Sequence, residues 1–552
     1  MMTNPMNGGE MIVRCLEEQG VDRVFCVPGE SFLPVLDGLQ QCRIETVLAR
    51  HEGGAAMMAE ADGKMTGRPG IVIVTRGPGA TNASAGIHIA QQDSTPLIML
   101  VGQVARDMRG RDAFQEVNFD KMFGDMAKHV CEVTHVNELP EILSDAFRIA
   151  MEGRPGPVVI SLPEDMLYDT AAVSVPGKVE ITAPSIDEND LDQVDTMIRN
   201  AERPFIIAGG SCWNESDVAD LSKLARLYGV PVACSFRRQR LMDARDPFYA
   251  GDLGLGCNPA LLDRIRTTDL LLMLGGRLSE IPSQSYTLLS IPEPEMPLIH
   301  LHSDANELGR VYSPKLAIHG RPAAFLAGML HRARDLSPRP GCDEHLSYNE
   351  WTGTIPSPPG DVNMAEIMVW LRENLPDGAI MTNGAGNYAT WLHRFYHFRD
   401  FLSQLAPTSG SMGYGIPAAV AAKARHPDRP VLAFAGDGCF QMTMNEMATA
   451  RQIGANIIIL VVDNGMYGTI RMHQERNFPG RVNHTSLTNP DFTSLAKSFG
   501  FYAENVMKTK DFPAAFTKCL NSGMPSLLHL PIDPEAISPT TTLTRIRASA
   551  TK

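Results

Sequence analysis

Gly436-Asp437-Gly438-Cys439-Phe440, answered further on by Val461-Val462-Asp463-Asn464-Gly465-Met466-Tyr467-Gly468, is the stretch from which the fold of this chain can be read. Apolar runs of the kind that make buried strands lie before the first part, from Pro430 to Ala435, and lead into the second, from Asn456 to Val462. Behind Gly438 the positions of Met442, Met447 and Ala450 have helical spacing. The whole reads as a βαβ unit, with Asp437 and Asn464 at strand C-terminal ends, where open α/β sheets bind ligands. A hard cation such as Mg²⁺ takes a few carboxylate or amide oxygens, phosphate oxygens and water. Asp437 can supply a carboxylate, Asn464 an amide oxygen and the carbonyl near Met466 a third ligand. The flanking glycines let the backbone approach a diphosphate closely and present its N–H groups at a helix start.

Bulk properties set the frame. A chain of 552 residues, 44% apolar and 20% charged, holds about three domains with a sizeable core. Its formal net charge of −14 argues against nucleic acid or an anionic membrane as partner. The ten cysteines are scattered singly, without C-x-x-C pairs or zinc spacing, as expected for thiols in a reducing compartment. The first residues lack a basic and apolar leader pattern, and no run of about 18 apolar residues occurs. The expectation is a cytoplasmic protein.

Along the chain, Arg50-His51-Glu52-Gly53-Gly54-Ala55-Ala56 follows a strand and opens a helix of small residues. Gly77-Pro78-Gly79-Ala80-Thr81-Asn82 reads as a turn before another small-residue helix, and Gln92-Asp93-Ser94-Thr95-Pro96-Leu97 leads into a strand. A Pro-punctuated linker from about Tyr168 to Asp187 closes this module. In the middle, strands at Pro204–Ala208 and Leu270–Leu274 run into Gly209-Gly210 and Gly275-Gly276, and Leu298–His302 precedes Asp304. Strands ending in glycine pairs describe a doubly wound domain able to accept a nucleotide phosphate. A second linker around Pro338–Pro340 and Pro356–Pro359 leads to Asn383-Gly384-Ala385-Gly386-Asn387 and Thr408-Ser409-Gly410-Ser411-Met412-Gly413.

Taken together these words resemble the thiamine diphosphate (ThDP) enzymes of the acetolactate synthase and pyruvate decarboxylase superfamily, and the synthase branch in particular. The resemblance implies an α/β protein of three doubly wound parallel-sheet domains: pyrimidine-binding at 1–170, middle at 188–335 and diphosphate-binding at 360–535, with a tail at 536–552. It implies that Glu52 stands beside N1′ of the aminopyrimidine and that Gln115 points into the active site. Gly410 would accept from the 4′-amino group through its carbonyl, and Met412 would prop the bent cofactor. Gly386, Asn387, Gly438, Cys439 and Tyr467 would line the diphosphate, with Mg²⁺ on Asp437, Asn464 and Met466. It further implies a homodimer or homotetramer whose site draws its halves from different subunits.

The expected reaction is decarboxylation or carboligation of a 2-oxo acid. The alternatives are a 2-hydroxyacyl-CoA lyase or oxalyl-CoA-type decarboxylase, a benzoylformate-type decarboxylase and, last, a non-catalytic ThDP-binding scaffold. Synthases carry FAD on the middle domain and acyl-CoA members an ADP moiety. Here Gly276-Arg277-Leu278-Ser279-Glu280 replaces the synthases' usual Arg-Phe-Asp-Asp-Arg, so FAD and ADP/CoA stay open. Glu30 enters a glycine turn of the synthases, and His473 stands where they have a Trp. Glu30, His88, Arg471 and His473 are therefore candidate substrate residues. The other reading of Arg471 and His473 is a solvated helix face with Glu475 and Arg476.

Overall fold

The computed structural model describes residues 4–550. Three six-stranded parallel sheets follow one another along the chain. The first holds β1 (Arg23–Cys26), β2 (Glu45–Leu48), β3 (Gly70–Val74), β4 (Leu97–Gln103), β5 (His129–Glu132) and β6 (Pro157–Pro163), in the order β2-β1-β3-β4-β6-β5. The second holds β7 (Pro204–Ala208), β8 (Val232–Ser235), β9 (Tyr249–Leu253), β10 (Leu270–Leu274), β11 (Leu298–His302) and β12 (Leu316–His319), ordered β9-β8-β7-β10-β11-β12. That is the dinucleotide-binding order, reversing between β7 and β10. The third holds β13 (Ile380–Asn383), β14 (Gln404–Leu405), β15 (Val431–Gly436), β16 (Ile458–Asp463), β17 (Tyr502–Asn505) and β18 (Ser526–Pro531), ordered β14-β13-β15-β16-β18-β17. The first and third sheets thus share one strand order, and the expected three doubly wound domains are what the chain forms.

Central strands such as β4 and β10 are buried along their whole length, which is why they read as unbroken apolar runs. Period-two alternation sorts their side chains to the two faces: Ile206 and Ala208 of β7 join one core, Phe205 and Ile207 the other. The sequence reading did not anticipate β5, β9, β12, β14, β17 and β18; all but β18 are edge strands with a single pairing partner. An edge strand needs no long apolar run, and β12 is half exposed.

By contacts the chain falls into two compact units. One comprises residues up to Thr182 with Pro407–Asp428 and Met442–Ile457; the other comprises Ala183–Ala406, Arg429–Gln441 and the chain from Ile458. The loop and helix at 407–428 join the first unit through buried polar links. Arg425 holds Asp62 with two bonds of 2.9 Å, and Tyr414 donates its hydroxyl to Glu60 at 2.5 Å. Lys64 Nζ lies 2.8 Å from Asp93 and 3.1 Å from Glu60, and Thr408 donates its backbone N–H to Asp93 at 2.9 Å. Buried charges of this kind persist only when paired.

Two local expectations are corrected. Gly77 and Pro78 form the first turn of the helix Gly77–Asp93 rather than a turn before it, since proline's fixed φ suits a helix start. The helix behind Gly438 is broken into Asp437–Gln441 and Glu446–Gln452, with Met442 exposed between them. The tail carries a helix at Leu543–Ala550 whose Leu543 and Ile546 pack with Ile537 and Met466. Among the described residues no helix is long and apolar enough to cross a membrane.

Candidate cofactor site

In the second unit, β15 and β16 pair in parallel with Gly436 opposite Val462, so Asp437 and the Asp463-Asn464 pair emerge side by side at the sheet's C-terminal edge. Asp437 is 3% exposed. Burial pushes its carboxyl up to about 6, the neighbouring Asp463 charge adds to this, and a hydrogen bond from Asn489 opposes it. Asp463 is held below the ordinary carboxylate range: burial acts upward, but the His529 bond and the Gly465 N–H outweigh it. Asn464 Oδ1 accepts from the Met466 N–H at 3.3 Å, folding the chain into a tight turn with Gly465 at φ +65°. Beyond it Tyr467 donates its N–H to the Thr485 carbonyl at 2.8 Å.

The glycines here are sterically required. A Cβ on Gly438 would lie 2.6 Å from the Tyr467 ring, and one on Gly468 would lie 3.0 Å from the Asn464 amide and 2.9 Å from Ile537. Gly386 has φ +145°, outside the range of ordinary side chains. Its neighbour Asn387 bonds Thr469 both ways, at 3.1 Å and 2.9 Å, tying this loop to the helix Gly468–Asn477. Cys439 is buried, with its thiol 3.2 Å from the Tyr388 hydroxyl, which also accepts the Gly384 N–H at 3.1 Å.

These donors fit a hard divalent cation. Asp437 is a buried carboxylate to which no cationic side chain bonds among the described residues. No group of three or more His, Cys, Asp or Glu side chains gathers there or elsewhere among those residues, so amide and carbonyl oxygens must complete any shell. That is the ligand mixture Mg²⁺ accepts when a phosphate group supplies further oxygens.

In the first unit, Glu52 is the first residue of the helix Glu52–Thr66, capped by His51, whose Nδ1 accepts the Gly53 N–H at 3.0 Å. Its Oε2 accepts from the Asn82 amide at 2.9 Å. Although the residues from Gly53 to Met65 are buried, Glu52 itself is only half-buried within this chain. Glu446, fully buried, accepts the Arg50 N–H at 3.2 Å beneath that helix start, where a Cβ on Gly54 would collide with it. Helix Gly77–Asp93 approaches so closely that a Cβ on Gly86 would overlap Ala56.

Gln115 has φ +67° and gives its carbonyl to the Gly77 N–H at 3.0 Å, at the foot of the same helix. Gly410 has φ +70° in open space, and Met412 is half-buried nearby in sequence. Both belong with Glu52 in the first unit, whereas Gly386, Asn387, Asp437, Gly438, Cys439, Asn464, Met466 and Tyr467 belong to the second.

The candidate substrate residues separate in character. Glu30 is exposed but bonded to Arg76 at 3.1 Å, and His88 is exposed on its helix. Arg471 is tied to Glu475 at 3.2 Å, while His473 projects into solvent. Glu475 belongs to no solvated face: it is buried and also binds Arg547 of the tail. In the middle sheet the two glycine pairs stand at the switch point, but they close on one another, and Trp213 donates to the Gly209 carbonyl at 2.8 Å. Asp304 accepts the Asn306 N–H at 2.9 Å, capping its own turn.

Two residues that no motif singled out join the surroundings of Asp437. Asn489 bonds both Asp437 and Asp463 at 2.8 Å, and His529 bonds Asp463 at 2.9 Å. The available signals were an Asn-Pro dipeptide at 489–490 and one polar residue inside the apolar run of β18.

Family models match three parts of the chain. They describe the N-terminal TPP binding domain of thiamine pyrophosphate enzymes at residues 6–122, the central domain at 191–329 and the C-terminal TPP binding domain at 384–530. The acetolactate synthase isozyme 2 large subunit of Escherichia coli K12 is 31% identical over 534 residues, 96% of each chain. The isozyme 1 large subunit of the same organism is 32% identical over 545 residues, covering 96% of this chain and 94% of that one. The chloroplastic acetolactate synthase of Arabidopsis thaliana is 29% identical over 557 residues, 95% and 81% of the two chains.

Proposed function

The chain belongs to the thiamine pyrophosphate enzymes, in the acetolactate synthase branch, and we propose that it decarboxylates a 2-oxo acid and passes the retained fragment to a second carbonyl compound. The observation that carries this reading is the pair Asp437 and Asn464 at adjacent parallel strand ends, inside the segment that matches the C-terminal TPP domain. When bound, the cofactor supplies an electron sink at the carbonyl carbon.

The residues of this chain bind, orient and exchange a proton. Asp437, the Asn464 amide oxygen and the Met466 carbonyl hold Mg²⁺, and Gly386, Asn387, Gly438, Cys439 and Tyr467 form the diphosphate cradle. Glu52 faces the aminopyrimidine. Because Asn82 occupies its Oε2, Oε1 is the oxygen left to share a proton. Gly410, Met412 and Gln115 line the reacting end. A carboxyl that manages a proton works best out of water, yet Glu52 is only half-buried here. We assign the missing cover to a second copy of the chain in a homodimer. Among the candidate substrate residues, Glu30, His88 and His473 keep exposed side chains, Glu30 while bonded to Arg76, whereas Arg471 is engaged by the buried Glu475.

The test is product analysis with ThDP and Mg²⁺ across pyruvate, benzoylformate, glyoxylate and oxalyl-CoA. Carbon dioxide release from a 2-oxo acid with formation of a 2-hydroxy ketone or a 2-hydroxy-3-oxo acid is the expected result. Turnover of oxalyl-CoA alone would transfer the protein to the thioester decarboxylases, and a simple aldehyde product to the benzoylformate-type decarboxylases.

A further inference from the structure

The geometry around Asp437 points to Asn489 and His529 as positioning residues that set the oxygen ligands of the cation. This rests on the cofactor reading above. Asn489 carries two amide hydrogens, and both are spent on carboxylates: one on Asp437 Oδ2 and one on Asp463 Oδ1, each at 2.8 Å. Carboxylates only accept, so the orientation of the amide is fixed. Its oxygen accepts from Gln441 Nε2 at 3.0 Å, and Gln441 closes the helix that begins at Asp437. A single side chain thus fixes the cation-facing acid from its carboxylate and from the far end of its helix.

Asp463 precedes Asn464 and is itself saturated. Its Oδ1 takes the Gly465 N–H at 2.9 Å besides Asn489, and its Oδ2 takes His529 Nε2 at 2.9 Å. With both oxygens engaged, Asp463 serves as an anchor for the turn that presents Asn464 and Met466, and the ligand role falls to its neighbours. His529 lies on β18, the strand paired with β16, and is braced from behind by Asn505 of β17, 2.8 Å from Nδ1. Two carboxylates this close repel. Asn489 bridges them and His529 holds Asp463, so that no cationic side chain among the described residues competes for the Asp437 carboxylate. Outer-shell partners of this kind change metal affinity about 10–100-fold when removed.

The measurement is direct Mn²⁺ binding by electron paramagnetic resonance, with ThDP present and no substrate, alongside the Mg²⁺ half-saturation of activity. Asn489→Ala is expected to weaken Mn²⁺ at least about tenfold and to raise the Mg²⁺ requirement equally, while kcat at saturating Mg²⁺ stays within about threefold. His529→Ala should do the same, and His529→Gln, which keeps a donor, should restore most of the affinity. Should Asn489→Ala fail to fold, the two His529 variants decide alone. Unchanged Mn²⁺ affinity in folded Asn489→Ala or His529→Ala overturns the positioning role while leaving the cofactor reading intact. Wild-type protein that takes up no Mn²⁺ with ThDP overturns the cation site itself.

Discussion

Two carboxyl groups show how one side chain's surroundings decide its task. Glu52 is held by Asn82 at one oxygen and leaves the other for the proposed proton sharing. Glu52→Gln keeps the hydrogen bond and removes the exchangeable charge. ThDP should still bind, while hydrogen–deuterium exchange at its C2 position, followed by NMR, slows by about 100-fold or more. Unaltered exchange would remove Glu52 from the chemistry. Asp252, by contrast, is half-buried in the second unit, where loss of water around it pushes its carboxyl up to about 7 against the pull of the Gly254 N–H. Its folded pKa exceeds the ordinary value, so between about pH 4 and 7 the folded state binds more protons than the unfolded one, and stability falls as pH rises through that window. Asp252→Asn cannot titrate. Its unfolding midpoint in urea should change less between pH 4.5 and 7.5 than that of the wild type, whatever its absolute level. Equal slopes would place the titration elsewhere.

Among the elements, the tail helix is the one whose role the structure changed most. Arg547 grips Glu475 through Nε at 2.8 Å and Nη2 at 2.5 Å, and Ile537 packs where a Cβ on Gly468 would sit. The helix Gly468–Asn477, which follows the Asn464 turn, is therefore clamped from its buried side. Arg547→Ala should cost about 1–2 kcal/mol of docking, discounted for the guanidinium's partial exposure. Hydrogen exchange at 543–550 should rise accordingly, with little change in the first sheet. The Arg547 bond holds the Glu475 carboxyl down to about 2. That contribution is complete above the ordinary glutamate pKa and disappears as pH falls through about 2. Protection of the tail that is indifferent to Arg547 would show that apolar packing alone secures it.

For the whole molecule, the decisive question is which chains meet at a site. If Glu52 of one chain serves Asp437 of another, mixing unfolded Glu52→Gln and Asp437→Ala chains and refolding them together yields heterodimers with one intact site out of two. Activity should then return to a sizeable fraction of wild type from two inactive parents. No recovery, with heterodimers demonstrated by differential tagging, would mean that each chain serves its own site. The same preparation answers the middle domain: a flavin absorption band identifies FAD at the β7–β10 switch point, and a colourless protein that binds CoA identifies an ADP moiety.

The sequence alone determined the three doubly wound parallel sheets and put forward Glu52, Asp437 and Asn464 as candidates for the site. Buried parallel strands must be continuous apolar runs, and the turns that follow them must carry glycine where a phosphate approaches. The edge strands β5, β9, β12, β14 and β17 were not legible, because a strand paired on one side needs no such signal, and the interior strand β18 is interrupted by His529. Asn489 and His529 were silent for a related reason. Each acts through a hydrogen bond to a residue at least 26 positions away in the chain, and only the sheet brings these partners together. The same holds for Glu475, which reads on its helix as a solvated charge until the tail covers it with Arg547. Local pattern records what a residue's neighbours in sequence require, whereas the company it keeps across the fold is decided by tertiary packing.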